Sequence, residues 1–255
     1  MLPSATRSAR PPRHRFEAWI GVAIAVAGLI TLVPAVRTAR SEVAVLGAVE
    51  TPGEPASAPN AQNGLPTTVD AAVVRITAQG CDGTELGSGV VLARGEVLTA
   101  RHLVAGASIL TVAVNGGSTT ASVARVDPAG RDAAILRLVR AEDPAGVAIA
   151  TVPPAPDAAV TVLGHPRGGT LERSAGHVLA YTTAGALALD GGGVMTLDIP
   201  FEPGISGGPV VDGHGALVAI AIGVERRSQT GIALPVADIA ALLAGKGDPP
   251  PATCG

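Results

Sequence analysis

The chain has 255 residues, a formal net charge of −3, and a composition that is 47% hydrophobic but only 2% aromatic. This length accommodates one sizeable domain with additional segments, and the apolar content is sufficient for a packed core. The sequence contains no long basic or acidic run, which argues against a nucleic acid as partner. Because aromatic side chains are scarce, we expect a core built from Val, Ile, Leu and Ala.

An uninterrupted apolar segment covers residues 18–36, with no charge between Glu17 and Arg37. As a helix, this segment would span roughly 28 Å at about 1.5 Å per residue, close to the hydrocarbon thickness of a bilayer. Trp19 lies at one edge, where aromatic side chains favour the membrane interface. The segment therefore predicts a single transmembrane helix.

Basic residues flank this segment unequally. Arg37 and Arg40 follow it, whereas the residues that precede it include Arg7, Arg10, Arg13 and Arg15. This asymmetry predicts that residues 1–17 form a basic cytoplasmic tail and that the rest of the chain lies outside the cell membrane. The alternative is a cleavable signal peptide, cut near Ala35, which would release the remainder as a secreted protein.

The composition then changes twice along the chain. Residues 37–66, rich in Pro, Ala, Gly and Asn, are predicted to form a flexible linker. Residues 67–246 contain short runs of Val, Ile, Leu and Thr separated by Gly, Asp and Pro, a pattern typical of an all-β sandwich or barrel. A helical stretch at 237–245 closes this domain, and residues 247–255 form a C-terminal tail.

A glycine-rich segment, GISGGP at 204–209, places Ser206 in a tight turn. The backbone N–H groups of Gly204 and Ser206 can converge there on one oxygen, as an oxyanion hole requires. Glycine tolerates the positive φ angles of such a turn. The segment indicates a nucleophilic serine; the alternative is an ordinary hairpin turn.

A serine nucleophile needs a base, and His102 follows an apolar strand in LTARHLV at 98–104. The histidines that lack this strand-end context are His165, His177 and His214. Asp132 heads the apolar run DAAILRL, where a carboxylate is costly unless it is hydrogen-bonded. An imidazole N–H is its natural partner, because a carboxylate fixes the tautomer of a catalytic histidine. The nearest rival is Asp127, which lies in a turn-like DPAG segment.

In this order and context, His102, Asp132 and Ser206 resemble the catalytic residues of trypsin-like (chymotrypsin-fold) serine proteases. The resemblance is to compact bacterial HtrA/Deg-like or membrane-anchored actinobacterial types, without a PDZ domain. It is carried by GSGVVL (87–92), LTARHLV (98–104), DAAILRL (132–138), VLGHPRGG (162–169), GISGGPVVD (204–212) and GIALPV (231–236).

The resemblance implies two six-stranded antiparallel β-barrels with a short C-terminal helix, preceded here by the transmembrane helix. It implies that His102 and Asp132 come from the first barrel and Ser206 from the second. Gly204 and Ser206 carry over as oxyanion donors. The implied activity is that of a serine endopeptidase acting on proteins or peptides without a cofactor or metal.

Two positions depart from the family pattern. Ile205 precedes the nucleophile, where digestive relatives have Asp and Deg-type relatives usually have Asn. An isoleucine cannot pair with a newly cut N-terminus, so we expect no activation of that kind. Arg101 replaces the small residue that usually precedes the catalytic histidine.

The family motif also locates the S1 pocket, which holds the side chain before the scissile bond. By that alignment, one wall comprises Pro200, Phe201 and Glu202, and the other comprises Ile220, Ala221 and Ile222. Most of these residues are apolar, which predicts a preference for a small or medium apolar side chain. If Glu202 turned inward, a basic side chain would be accepted instead.

The sequence has two cysteines, Cys81 and Cys254, too few for a typical zinc site. In an extracytoplasmic domain they are expected to form a disulfide, worth on the order of 4 kcal/mol in the chain-entropy model. The alternative is two free thiols. For the chain as a whole, the alternatives to an endopeptidase are a catalytically silent binding module and an esterase using the same triad.

Overall fold

The short apolar runs form antiparallel strands that close into two barrels. The computed structural model describes residues 64–81, 83–92, 95–140, 146–187 and 192–250. The predicted cytoplasmic tail, the transmembrane segment 18–36, most of the linker and Cys254 lie outside these residues, so these assignments stay predictions. In the part that is described, no helix is both long and apolar enough to cross a membrane.

The first barrel is preceded by a short helix, α1 (Thr67–Ala72). Its strands close in the order β1-β2-β3-β6-β5-β4. A one-turn helix, α2 (Arg101–Val104), follows β3. The strands are β1 (Val73–Gly80), β2 (Gly83–Val91), β3 (Glu96–Thr99), β4 (Ala107–Val114), β5 (Gly117–Val126) and β6 (Ala134–Leu138).

The second barrel repeats this connectivity, and its strands close in the order β10-β11-β12-β9-β8-β7. A short helix, α3 (Ala240–Leu243), follows the last strand. The prediction of two six-stranded antiparallel barrels with a short C-terminal helix is thus confirmed. The strands are β7 (Ala159–Gly164), β8 (Glu172–Thr183), β9 (Gly193–Leu197), β10 (Pro209–Val211), β11 (Leu217–Glu225) and β12 (Thr230–Pro235).

Each barrel surrounds its own apolar core, built mainly from aliphatic side chains. The end of the domain packs on the first barrel, since Leu234, Ile239 and Leu242 belong to that core. Burying such side chains stabilises each barrel by about 1.5–3 kcal/mol per residue. As expected from the scarcity of aromatic residues, the cores consist mainly of closely packed Val, Ile, Leu and Ala.

The two barrels are joined by β2 and by the loop that begins at His165. The Ser88 N–H donates to the Ser206 carbonyl at 2.8 Å. The Arg75 guanidinium donates to the Gly168 carbonyl at 2.8 Å. The first contact places β2 against the segment around Ser206, and the second holds β1 against the loop that begins at His165.

Candidate active site

His102 lies on α2, directly after β3. Thr99, at the end of β3, is completely buried and donates its hydroxyl to the Ser88 carbonyl at 2.7 Å. This bond fixes the end of β3 against β2. Ala100 then takes an extended conformation, with φ −73° and ψ 138°, and the helical turn begins at Arg101. The position of His102 is thus set by the strand that precedes it.

Asp132 holds His102 at two points. One carboxylate oxygen, Oδ1, accepts the backbone N–H of His102 at 2.8 Å, and the other, Oδ2, lies 2.6 Å from the ring Nδ1. A carboxylate accepts, so Nδ1 carries the proton and Nε2 keeps a lone pair that can act as a base. The His102 side chain is 49% exposed, so a substrate can reach it.

The surroundings of His102 also change its proton affinity. The hydrogen bond that the His102 ring donates to Asp132 is the main cause that raises the pKa of His102 above its ordinary value. Burial opposes this effect, and the negative charges of Asp132 and Glu85 reinforce it. The imidazolium that forms during proton transfer is therefore stabilised by its neighbours.

Asp127, the rival carboxylate, stays within its own loop. Its side chain is 0% exposed, and Oδ1 accepts the N–H groups of Ala129 at 3.0 Å and Arg131 at 3.2 Å. The Asp127 N–H donates to the Ala133 carbonyl at 3.0 Å, which closes the loop around Asp132. Asp127 therefore shapes the turn that presents Asp132.

The loop that carries Ser206 begins with a tight turn. The Ile205 N–H donates to the Glu202 carbonyl at 3.1 Å. Gly204 has a φ of 98°, and Pro203 precedes it. Proline followed by a residue of positive φ is the pattern of a type II turn. A side chain at position 204 would approach the Arg167 nitrogen to 2.5 Å, so only glycine fits.

Two backbone donors of this loop are unengaged. The N–H of Gly207 donates to the Ala221 carbonyl at 2.7 Å, and that of Gly208 donates to the Ile205 carbonyl at 2.8 Å. Among the described residues, by contrast, the N–H groups of Gly204 and Ser206 make no hydrogen bond. These are the two donors expected of an oxyanion hole.

Contacts on both sides hold the peptide between Pro203 and Gly204. Its carbonyl accepts the Arg167 N–H at 2.7 Å. In a trans peptide the N–H points opposite to the carbonyl, so the Gly204 N–H is directed away from Arg167. The next carbonyl, that of Gly204, accepts the Ser88 hydroxyl at 2.7 Å. The orientation of both peptides is thereby determined.

The Ile205 side chain anchors the Ser206 loop to the core of the second barrel. Its side chain is only 7% exposed and belongs to the core of the second barrel, with Val160, Val162 and Val210. A Cβ placed on Gly164 would lie 3.0 Å from the Ile205 Cδ1, so this pocket has little spare room. A buried isoleucine thus stands at the position where the family pattern has an acid or an amide.

Ser206 and the helix of His102 meet at Gly87 of β2. A Cβ on Gly87 would lie 2.3 Å from the Leu103 Cδ2 and 3.0 Å from the Ser206 carbonyl oxygen. In the described part of the chain, no hydrogen bond joins the Ser206 hydroxyl to the His102 ring. Catalytic hydrogen bonds are often long before substrate binds, so this geometry is compatible with a base.

The other histidines in the described ranges make their contacts away from Ser206. The ring of His165 lies 3.0 Å from the Gly169 carbonyl in its own loop. The ring of His177 lies 3.2 Å from Asp198 on the second barrel. His214 lies in a turn capped by Asp212, whose Oδ1 accepts its N–H at 2.9 Å. None of these contacts involves Ser206.

The residues assigned to the S1 pocket occupy different environments. Pro200 and Glu202 are exposed, whereas the side chains of Ile220 and Ala221 are buried in the barrel cores. Ile222 is half-buried and lines a cavity of about 350 Å³ that His102 and Asp132 also border.

Two of these residues bear directly on the shape and charge of the pocket. The Phe201 ring lies against β12, since a Cβ on Gly231 would approach its Cε1 to 2.6 Å. Glu202 pairs with Arg167 at 3.0 Å, outside the barrel cores. The Phe201 ring therefore fills the space beside Gly231, and the Glu202 carboxylate is paired with the Arg167 guanidinium.

Sequence reasoning missed the role of Ser88. This side chain is completely buried, donates to the Gly204 carbonyl and accepts the His165 N–H at 2.8 Å. The available signal was a polar residue at the head of the apolar strand GSGVVL. Buried hydroxyls are usually hydrogen-bonded, but their partner is not visible in a sequence.

Similar sequences occur among known serine proteases. The chain is 29% identical over 189 residues to serine protease MT3772 of Mycobacterium tuberculosis strain CDC 1551 and to serine protease Rv3671c of strain H37Rv. The alignment covers 71% of this chain and 47% of each relative, so the chain spans about half the length of these relatives.

Solved structures share the fold. The active form of Rv3671c protease from M. tuberculosis has a TM-score of 0.64 at 27% identity, covering 73% of this chain and 86% of that one. The HtrA-type protease AlgW with tripeptide has a TM-score of 0.62 at 24% identity, covering 70% and 62% of the two chains. The AlgW likeness is evidence of fold alone.

A model of the trypsin-like peptidase domain matches residues 87–220. This segment is more than half of the 255 residues and contains His102, Asp132 and Ser206. The chain therefore belongs to the family of trypsin-like peptidase domains.

Proposed function

We propose that this chain is a serine endopeptidase that hydrolyses peptide bonds through Ser206, His102 and Asp132. The observation that carries the proposal is one arrangement. A histidine clamped by a carboxylate, with Nε2 left as a base, lies across β2 from a serine loop with two unengaged N–H groups. Acyl transfer requires these elements together.

The reaction follows from these positions. His102 Nε2 takes the proton of the Ser206 hydroxyl as its oxygen attacks the peptide carbonyl. The oxygen of the tetrahedral intermediate accepts hydrogen bonds from the Gly204 and Ser206 N–H groups. His102 then gives its proton to the departing amine, which leaves an acyl group on Ser206. The same base activates the water that hydrolyses this ester.

We further propose that the side chain accepted before the scissile bond is small and apolar. The Phe201 ring lies against Gly231, where it restricts the depth of the S1 pocket. The Glu202 carboxylate is paired with Arg167 and supplies no charge to attract a basic side chain. A peptide library in which Arg or Lys is strictly required would contradict this proposal.

The placement of the chain is also proposed, on its sequence. Residues 18–36 anchor it in the cell membrane by a single pass, and the protease domain, residues 67–246, lies outside the cytoplasm. Protease added to intact cells should digest the domain of a retained anchor. Release into the medium of a chain beginning near residue 36 would instead indicate a cleaved signal peptide.

The bridge between Cys81 and Cys254 is proposed for the exported protein. Mass spectrometry after alkylation without reduction should leave both cysteines unmodified. Alkylation of both in the exported chain would reject the bridge.

The activity is tested with the full chain in detergent and a peptide mixture. The wild type should cleave peptide bonds, and Ser206→Ala and His102→Ala should lose this cleavage. Equal cleavage by wild type and Ser206→Ala would reject the proposal. Ester hydrolysis without peptide cleavage would favour an esterase, and inactivity on both would favour a silent binding module.

A further inference from the structure

A second cavity, of about 310 Å³, borders His102. Its lining includes Glu85 of β2, Leu103 of α2 and Gly106, all from the first barrel. The 350 Å³ cavity that also touches His102 is different, because it includes Ile222 and Val224 of the second barrel. His102 therefore stands between two openings of different composition.

Glu85 is directed towards the reacting groups by the geometry of β2. Side chains two apart in a strand lie on the same face of the sheet, so Glu85 shares a face with Gly87. A Cβ on Gly87 would meet Leu103 and the Ser206 carbonyl oxygen, so this face is turned to the nucleophile loop and to α2.

The carboxylate of Glu85 is exposed. Across the described ranges, it takes part in no ion pair or side-chain hydrogen bond. The same carboxylate contributes to the raised pKa of His102, which shows that its field reaches the active site. Its charge is therefore available to a ligand.

The position of this cavity identifies which part of a substrate would occupy it. In the proposed reaction, the acyl half is held by the S1 residues of the second barrel, such as Phe201 and Ile222. His102 protonates the amine that leaves, so the leaving half lies beside His102. The described residues that line the 310 Å³ cavity are His102 and other residues of the first barrel, so this cavity is on the leaving side.

We propose that this cavity binds the residues that follow the scissile bond, and that Glu85 selects a basic side chain, Lys or Arg, among them. Glu85 is the one carboxylate among the described residues of the lining. The inference rests on the proposed endopeptidase function and adds a second determinant of its substrate class. The preferred site would join a small apolar residue before the bond to a basic residue just after it.

The test uses the full chain and quenched peptides that share one acyl half and carry Lys, Gln or Glu at the first two positions after the bond. An exposed charge pair predicts that wild-type kcat/KM is about two- to fivefold higher for Lys than for Gln. Glu85→Gln should remove this preference, and Glu85→Lys should reverse it in favour of Glu.

Glu172→Gln is the matched control. Glu172 is an exposed carboxylate at the start of β8 and does not line the cavity, so this variant should keep the wild-type preference. A fluorophosphonate titration of Ser206 accompanies each assay. An unchanged profile in Glu85→Lys, with normal titration, would overturn the inference while leaving the proposed function intact. Absence of titration in the wild type would reject both.

Discussion

The Ser88 hydroxyl of the first barrel donates to the Gly204 carbonyl of the second at 2.7 Å, across 116 residues of sequence. The same oxygen accepts the N–H of His165 at 2.8 Å. One completely buried side chain therefore joins β2, the loop at His165 and the segment around Ser206. The N–H groups of Gly204 and Ser206, the proposed oxyanion donors, are thus positioned next to a contact between the two barrels.

Replacing this hydroxyl should impair catalysis more than binding. Ser88→Ala leaves the Gly204 carbonyl without a buried partner, which we expect to cost about 1–3 kcal/mol in the free energy of unfolding. We expect kcat to fall about 10- to 100-fold, with a smaller change in KM, because the Gly204 N–H loses its orientation. Urea unfolding and peptide kinetics measure the two effects.

Ser108→Ala is the control for that variant. Its hydroxyl donates to the Gln79 carbonyl at 3.1 Å on the exposed surface. Both stability and kcat should stay close to those of the wild type. If folded Ser88→Ala protein kept full kcat, the positioning role of Ser88 would be wrong.

The acid limb of the pH profile should report His102. The base acts in its neutral form, so activity rises as His102 loses its proton. Because Asp132 and Glu85 raise the pKa of His102, the midpoint of kcat/KM should lie above the ordinary value of 6.5. Glu85→Gln should move this midpoint to lower pH, and Asp132→Asn should also lower kcat by about 10⁴-fold. An unshifted midpoint in Glu85→Gln would show that the charge of Glu85 does not contribute to the raised pKa of His102.

Asp127 should act through Asp132. Asp127→Ala removes the hydrogen bonds that the Asp127 carboxylate accepts from the Ala129 and Arg131 N–H groups, at an expected cost of about 1–3 kcal/mol in the free energy of unfolding. We also expect a lower kcat/KM and a lower midpoint of the acid limb, because Asp132 would be held less firmly in position to accept the two hydrogen bonds from His102.

Asp212 offers a matched comparison for Asp127. Its Oδ1 accepts the N–H groups of His214 and Ala216, both at 2.9 Å, in a turn of the second barrel. Asp212→Ala should lose similar stability without moving the acid limb. Equal pH profiles for the two variants would show that Asp127 has no role beyond its own turn.

Phe201 should set the depth of the S1 pocket. Phe201→Ala removes the ring beside Gly231, so larger apolar side chains should be accepted before the scissile bond. We expect the ratio of kcat/KM for Leu over Ala at that position to rise by about tenfold or more. Phe201→Leu should give an intermediate ratio. A constant ratio in all of these variants would place the determinant elsewhere.

The sequence predicted the fold well because its local signals agree. Short apolar runs bounded by turn residues indicate strands, but they do not distinguish a sandwich from a barrel. That choice depended on the family motifs. The motifs also singled out His102 and Asp132, which the structure joins by two hydrogen bonds.

The partners of Ser88 and Ile205 could not be predicted, because they depend on how the barrels close. Ser88 meets a loop 116 residues away. Ile205 departs from the family pattern, and its side chain belongs to the core of the second barrel. The register of β11 also could not be predicted. Its pairing with β12 shifts between Ala221 and Gly223, next to the predicted S1 residues.

The most direct measurement of the central claim is the mass of the full chain after reaction with a fluorophosphonate, followed by peptide mapping. The proposed mechanism predicts a single adduct on Ser206, greatly slowed in His102→Ala and absent in Ser206→Ala. An unmodified wild-type chain, or an adduct that persists in Ser206→Ala, would contradict it.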